Sequence, residues 1–126
     1  LPRQAYERIV SGRTAHRLWI VEASGDLVGF LYASPGAVGR TLPIVQVAVQ
    51  QDARRLEYAS ALVSEAERYA AQLQRPSIGL HVAADLEEAT AFWNFLGYKL
   101  LRNVTGGARR GRVIEVRRKL LPTMIG

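Results

Sequence analysis

The sequence predicts an α/β fold of the α+β kind, in which a mixed, mostly antiparallel sheet is flanked by helices. Short runs rich in β-branched and aromatic residues alternate with turn signals. One long segment instead has apolar or small side chains at spacings of three and four, which is typical of an amphipathic helix. Because that helix is expected between the third and fourth strands, these two strands should run parallel through a right-handed crossover.

The first part of the chain is expected to hold a short helix and then an antiparallel hairpin. Residues 2–10 are interpreted as a helix, because a proline lies near the first turn and apolar residues fall on one side. Residues 17–23 and 27–33 are predicted strands that flank a Ser-Gly-Asp turn signal. The stretch 34–43 holds two prolines and two glycines and is predicted to be a loop.

The middle of the chain predicts a strand, the long helix and another strand. Residues 44–50 (IVQVAVQ) are interpreted as a third, centrally buried strand. The amphipathic helix is predicted over residues 54–74 and is stopped by Pro76. Residues 77–83 (SIGLHVA) are predicted to form the fourth strand.

The last part predicts a second helix and a closing hairpin. Asp85 and Glu88 have the cap-plus-three acidic pattern that opens a helix, and Gly97 is a natural left-handed cap at its end. Residues 98–104 and 112–120 are predicted to pair across a glycine- and arginine-rich loop.

Composition limits the class of protein. A chain of 126 residues with 48% hydrophobic content suits one domain, residues 1–126. The absence of cysteine and the presence of only two histidines argue against metal cofactors. No apolar run approaches the roughly 20 residues of a membrane helix and no secretory leader is seen, so a soluble, cytoplasmic protein is expected. The net charge of +6 favours anionic partners without choosing among them.

Two segments resemble those of the GNAT acetyltransferases. VQQDARRLEYA at residues 49–59 is similar to the family pattern of a valine, four variable residues and R/Q-x-x-G-x-G/A, with Arg54 at its first position and Ala59 at its last. ATAFWNFLGY at residues 89–98 is similar to A-x-x-F-Y-x-x-x-G-F, and the preceding GLHV resembles the usual fifth strand. With Gly29-Phe30 in the predicted hairpin, the resemblance covers almost the whole chain after residue 16. It implies a GNAT-like acyl-CoA N-acyltransferase fold that is short at its amino end.

The resemblance also implies acetyl-CoA as cosubstrate and an amine as acceptor. A loop between a strand and a helix leaves free backbone N–H groups and a positive dipole end, which suit a pyrophosphate. By resemblance, the preceding strand pairs with the pantetheine amides, and the acetyl group passes directly to an amine while a base or water removes the ammonium proton. The residues implied in cofactor binding are Val47, Ala48, Val49, Arg54, Arg55, Leu56, Glu57, Tyr58, Ala59 and Ser60.

Three positions depart from the family pattern and leave two hypotheses open. Glu57 replaces a glycine of the phosphate loop, Leu86 falls where an asparagine often helps to hold the cofactor, and Trp93 falls where a tyrosine usually protonates the leaving thiolate. The first hypothesis is an acetyl-CoA-dependent N-acetyltransferase acting on a primary amine of a small molecule or protein. The alternative is a catalytically degenerate GNAT-fold binding module.

The sequence does not assign the catalytic base. His81, Glu22 and Glu115 are candidates, although surface or core roles are commoner for such residues, and Trp93 is expected in the core. The basic residues near the end of the chain could meet nucleic acid, but without interleaved aromatic residues that partner is not expected. Family members usually carry a first strand and a helix ahead of the segment matching residues 2–10. The resemblance therefore implies a truncated front or one completed by a second subunit, for example in a homodimer.

Overall fold

The computed structural model describes residues 16–36, 39–51, 55–106 and 111–122, together with the backbone of residues 4–9. In these residues seven strands and two helices follow one another. Their bounds are β1 Gln4–Ile9, β2 Arg17–Ala23, β3 Asp26–Ala33, β4 Thr41–Val49, α1 Arg55–Gln72, β5 Ser77–Ala83, α2 Glu87–Phe95, β6 Lys99–Thr105 and β7 Val113–Leu120.

The sheet is mixed and mostly antiparallel, as the sequence predicts. Its strand order is β1-β2-β3-β4-β5-β7-β6, so β7 lies between β5 and β6. The only parallel pair among the described strands is β4 with β5, which α1 connects, and this confirms the expected parallel pairing of the two strands. The predicted hairpins β2–β3 and β6–β7 also form.

The prediction of a helix at residues 2–10 is wrong for the residues that the structure describes. Gln4–Ile9 instead forms strand β1, which pairs antiparallel with all of β2 except Ala23. A helix this short is marginal on its own, whereas the edge of β2 offers a complete ladder of backbone hydrogen bonds. Residues 2, 3 and 10 lie outside the described part of the chain.

The third strand begins earlier than predicted. Residues Thr41 to Pro43, assigned from sequence to a loop, are the part of β4 that pairs with β5. Proline gives up a backbone donor, but a strand tolerates it beside a β-bulge, and a register shift follows immediately after Ile44.

The ends of both helices differ slightly from prediction. In α1, Gln74 takes a left-handed φ of 58°, so the helix ends at Gln72. Helix α2 is not capped by Asp85: its N-cap is Leu86, which makes no side-chain cap bond. The Asp85 carboxylate instead accepts a hydrogen bond of 3.2 Å from Arg112, a charged partner that outcompetes the backbone amides. Gly97 has φ 93° just beyond α2, as predicted.

Both helices pack on one face of the sheet, called here the helix face. Leu62, Val63 and Ala66 of α1 and Trp93 of α2 are buried there against β2 to β5. The opposite face, called the open face, carries no helix among the described residues. No helix of the described chain is long and apolar enough to cross a membrane.

Candidate functional site

Strands β4 and β5 separate after a short paired stretch. They pair only through Thr41 with Ser77, Leu42 with Ile78, and Pro43 with Gly79. Both strands then continue, to Val49 and Ala83 respectively, without pairing further with each other. Their facing edges therefore carry backbone N–H and C=O groups that the sheet does not satisfy, and such groups need other partners.

A β-bulge at Val45 accompanies the separation. Ala33 pairs with Ile44 but Tyr32 pairs with Gln46, so Val45 is the extra residue of β4. A bulge bends its strand and reverses which residues face each side. As a result Val47 and Val49 pack against the core of the helix face, and Ala48 is exposed.

A glycine on β3 allows the end of β4 to come close. Gly29 pairs with Val49, and a Cβ on Gly29 would lie 2.7 Å from Val49 Cγ1 and 3.1 Å from the Ala48 carbonyl oxygen. A side chain at this position would push β4 away from β3, so the glycine keeps the outer half of β4 in place.

Helices α1 and α2 begin at the same edge of the sheet. Each follows one strand of the parallel pair, and the carboxyl ends of parallel strands lie at the same edge. The first turn of a helix presents free N–H groups and the positive end of its dipole. The mouth between β4 and β5 is thus bordered by two helix N-termini, an arrangement that suits an anion.

Arg55 and Glu88 join these two helix ends. The Arg55 guanidinium donates to both carboxylate oxygens of Glu88 at 2.9 Å, and to Gln51 Oε1 at 3.4 Å. Arg55 is one-third exposed and Glu88 largely exposed. Sequence reasoning assigned Arg55 to phosphate and missed its partner, because the two lie 33 positions apart and no local pattern connects them.

The other predicted cofactor residues of α1 lie on two different sides of the helix. Leu56 and Glu57 are exposed and Ser60 is half-buried, and together they line a shallow groove along the outer side of the helix. Tyr58 and Ala59 are buried in the core, so they have only backbone groups to offer. Arg54 lies outside the described residues.

The two remaining departures from the family pattern have different surroundings. Leu86 is half-exposed at the start of α2. Trp93 is buried, with its ring in edge contact with Phe92 and Tyr98, which confirms the core role predicted for it.

A cleft of about 540 Å³ opens on the open face where β4 and β5 begin to separate. His81 is exposed and lines it, together with Pro43 and Val45. The other two candidate bases lie elsewhere: Glu115 bonds to Arg117 on the helix face at 2.7 Å, and Glu22 is at the hairpin end of β2.

The basic residues near the end of the chain do not form one surface. Arg117 is buried, with hydrogen bonds to Glu115 and to the Tyr98 carbonyl oxygen. Arg112 pairs with Asp85 and Lys119 with Glu67. Arg118 lies on the open face, opposite to Arg117 and Lys119, and residues 109 and 110 lie outside the described chain. The basic residues of this segment that the structure describes are therefore dispersed.

These features define an α/β protein in which two parallel strands separate beside the N-termini of two helices. The family model of the GNAT acetyltransferases matches residues 2–98, and the chain belongs to this family. A comparison with curated protein sequences gave no match.

Solved structures of acetyltransferases share the fold. Nourseothricin acetyltransferase superposes with a TM-score of 0.78 at 22% identity, over 85% of this chain and 66% of that one. Aminoglycoside 6'-acetyltransferase type Ii superposes with a TM-score of 0.76 at 21% identity, over 86% of this chain and 72% of that one. PaiA N-acetyltransferase from Thermoplasma acidophilum was solved in complex with coenzyme A. It superposes with a TM-score of 0.68 at 15% identity, over 82% of this chain and 60% of that one. The chain therefore spans about two thirds of the length of these proteins.

Proposed function

We propose that this protein is an acetyl-CoA-dependent N-acetyltransferase that moves an acetyl group to a primary amine. The observation that carries the proposal is the separation of β4 from β5 beside two helix N-termini. The gap between β4 and β5, with its unpaired strand edges, suits an extended chain of amides, and the helix ends suit phosphates.

The residues of this chain fit acetyl-CoA in three respects. Beyond Pro43, the edge of β4 can hydrogen-bond an amide-bearing chain as a neighbouring strand would. The first turn of α1 and the Arg55 guanidinium lie at the mouth and can hold phosphate oxygens. The bound cosubstrate would supply the acetyl thioester. The coenzyme A complex of PaiA N-acetyltransferase supports the same use of this fold.

Glu57 is one residue of the proposed phosphate site that opposes binding. A carboxylate about 4 Å from a phosphate would cost on the order of 4 kcal/mol at an effective dielectric of 20. Glu57 is exposed on the outer side of α1, where solvent weakens such repulsion. In the first turn of a helix it also interacts favourably with the dipole, by roughly 0.3–1 kcal/mol.

Calorimetric titration with acetyl-CoA tests the proposal directly. We expect the wild type to bind, and Arg55→Gln to weaken binding by about tenfold, because a charge-assisted hydrogen bond to phosphate is lost. Arg68→Gln is the matched control, since Arg68 lies further along α1 and pairs locally with Glu65. No binding by the wild type at millimolar acetyl-CoA would overturn the proposal.

The alternative is a GNAT-fold module that binds acetyl-CoA without transferring the acetyl group. The observation in its favour is Trp93, a buried side chain without a hydroxyl at the position where the resemblance places a tyrosine acid. Binding by calorimetry without release of free CoA in the presence of any amine acceptor would select this alternative. Turnover with one acceptor removes it.

A further inference from the structure

The cleft on the open face has an unusual charge composition. Arg102, Arg118 and His81 line it, and none of its described lining residues is acidic. Its volume of about 540 Å³ falls in the range of roughly 300–1,000 Å³ common for small-molecule sites. Arg117 also borders the cleft, but its guanidinium is bound on the helix face to Glu115, so its charge is compensated.

Strand register brings the cationic side chains of the open face together. Arg118 of β7 lies opposite Gly79 of β5 on one side and Lys99 of β6 on the other. Arg102 lies opposite Val116, two residues from Arg118 on the same face of β7. Like charges directly opposite each other destabilise a sheet, so the Lys99–Arg118 pair is unfavourable unless an anion compensates it.

These three cations lack the partners that neighbouring cations have. Among the described residues, the side chains of Arg102, Arg118 and Lys99 form no hydrogen bond or ion pair. By contrast, Arg112, which immediately precedes β7, and Lys119 of β7 are each bound to a carboxylate. The uncompensated charge of β6 and β7 is therefore concentrated beside the cleft.

We propose that this cleft binds the acceptor and selects a primary amine that carries a carboxylate. The inference rests on the proposed acetyltransferase function. Two guanidinium groups match the oxygens of a carboxylate. The same field repels additional ammonium groups and favours the neutral form of the amine that must attack the thioester. Polycations would therefore be poor acceptors. Aminoglycosides, the substrates named for one of the structurally similar enzymes, are of this kind.

The location of the cleft fits this role. Val45 lines it and lies two residues before Val47, which is about 7 Å along an extended strand. Val47 belongs to the segment of β4 proposed to hold the cosubstrate. An amine whose carboxylate is held by Arg118 and Arg102 would thus lie close to the opening between β4 and β5, through which the thioester is reached.

The test compares L-amino acids with their α-carboxamides as acceptors, by release of free CoA. We expect kcat/KM to favour the carboxylate form by about tenfold or more, and Arg118→Gln or Arg102→Gln to lower this preference by about tenfold. The Kd for acetyl-CoA should stay unchanged in both variants. Arg68→Gln, outside the cleft, should retain the full preference.

A binding measurement separates failure of this inference from failure of the proposed function. The Nε–Hε signals of Arg102 and Arg118 are followed by NMR during titration with the same amino acids and amides. Shifts with the acids alone support the inference even if no transfer occurs. Equal response to acids and amides, no response to either, or preferential acetylation of amides or diamines overturns it. Absence of acetyl-CoA binding in calorimetry would instead count against the proposed function.

Discussion

Arg55 shows how one side chain can have two competing partners. One nitrogen of its guanidinium, Nη2, donates to both carboxylate oxygens of Glu88 across the mouth between β4 and β5. An exposed ion pair of this kind is worth roughly 0.2–1 kcal/mol, little enough for a phosphate to displace the carboxylate. Glu88, and not only Glu57, therefore opposes the proposed binding of phosphate at this site.

Replacing Glu88 should strengthen acetyl-CoA binding. We expect Glu88→Gln to lower the calorimetric Kd by about twofold to fivefold, because Arg55 no longer has to leave a carboxylate. Glu87→Gln is the control: it removes a charge from the same exposed turn of α2, but Glu87 does not contact Arg55. An equal effect of the two variants would show that general repulsion, and not the pair, limits binding.

The buried Tyr98 belongs to a partly buried polar cluster with Glu67 of α1 and Lys119 of β7. Its hydroxyl donates to Glu67 Oε2 at 2.7 Å, and Lys119 Nζ lies 3.1 Å from the same carboxylate oxygen. Burial raises the pKa of the Tyr98 phenol well above its usual range, and the hydrogen bond to Glu67 and the charge of Glu67 raise it further.

The raised pKa gives Tyr98 a stabilising role that ends at alkaline pH. The unfolded chain releases this proton near pH 10 and the folded chain does not, so this contribution is complete below about pH 10 and declines above it. We expect Tyr98→Phe to lower the free energy of unfolding by about 1–3 kcal/mol at pH 7. Urea denaturation above pH 10 should show a shallower loss of stability for Tyr98→Phe than for the wild type. Parallel losses would contradict this assignment.

At the scale of elements, the junction of β4 and β5 depends on a close approach at Gly79. This residue lies between Pro43 and Arg118 in the sheet. A Cβ there would lie 2.8 Å from the Arg117 carbonyl oxygen and 3.2 Å from Thr41 Cγ2. The carbonyl belongs to the backbone of β7 and can move only with its strand. The point where β4 and β5 stop pairing is thus fixed by a residue without a side chain.

Gly79→Ala should therefore destabilise the protein. We expect the free energy of unfolding to fall by about 1–3 kcal/mol, as for other overpacked sites. Gly106→Ala is the matched control, because a Cβ at Gly106 would meet nothing within 4 Å, and its effect should stay within about 0.5 kcal/mol. Urea denaturation monitored by tryptophan fluorescence measures both. Equal stability of the two variants would contradict the role given to Gly79.

Elements with strong local signals were predictable from sequence. The amphipathic period of α1 and the turn chemistry between β2 and β3 act over a few residues. The helix and the two strands each form within two residues of the predicted bounds. Gln4–Ile9 has no such signal, and its partner strand decides its structure. The same holds for Thr41 to Pro43, which become a strand only because β5 lies beside them.

At the scale of the whole molecule, the net charge of +6 is distributed unevenly. On the helix face, cations such as Arg117 and Lys119 are bound to carboxylates. On the open face, Lys99, Arg102 and Arg118 have no such partners among the described residues. Composition alone indicated an anionic partner, and the sheet register now indicates where one would bind.

The amino-acid sequence by itself determined the fold class, the parallel pair that the long helix connects, and the family to which the chain belongs. Those properties follow from periodicity, turn residues and motif spacing, which are local along the chain. Only the tertiary structure decided that Glu88 holds Arg55, that Val45 bulges, and that the cations of β6 and β7 meet beside a cleft. Each depends on strand register or on contacts between residues distant in sequence, and a one-residue change of register would move every side chain of a strand to the other face.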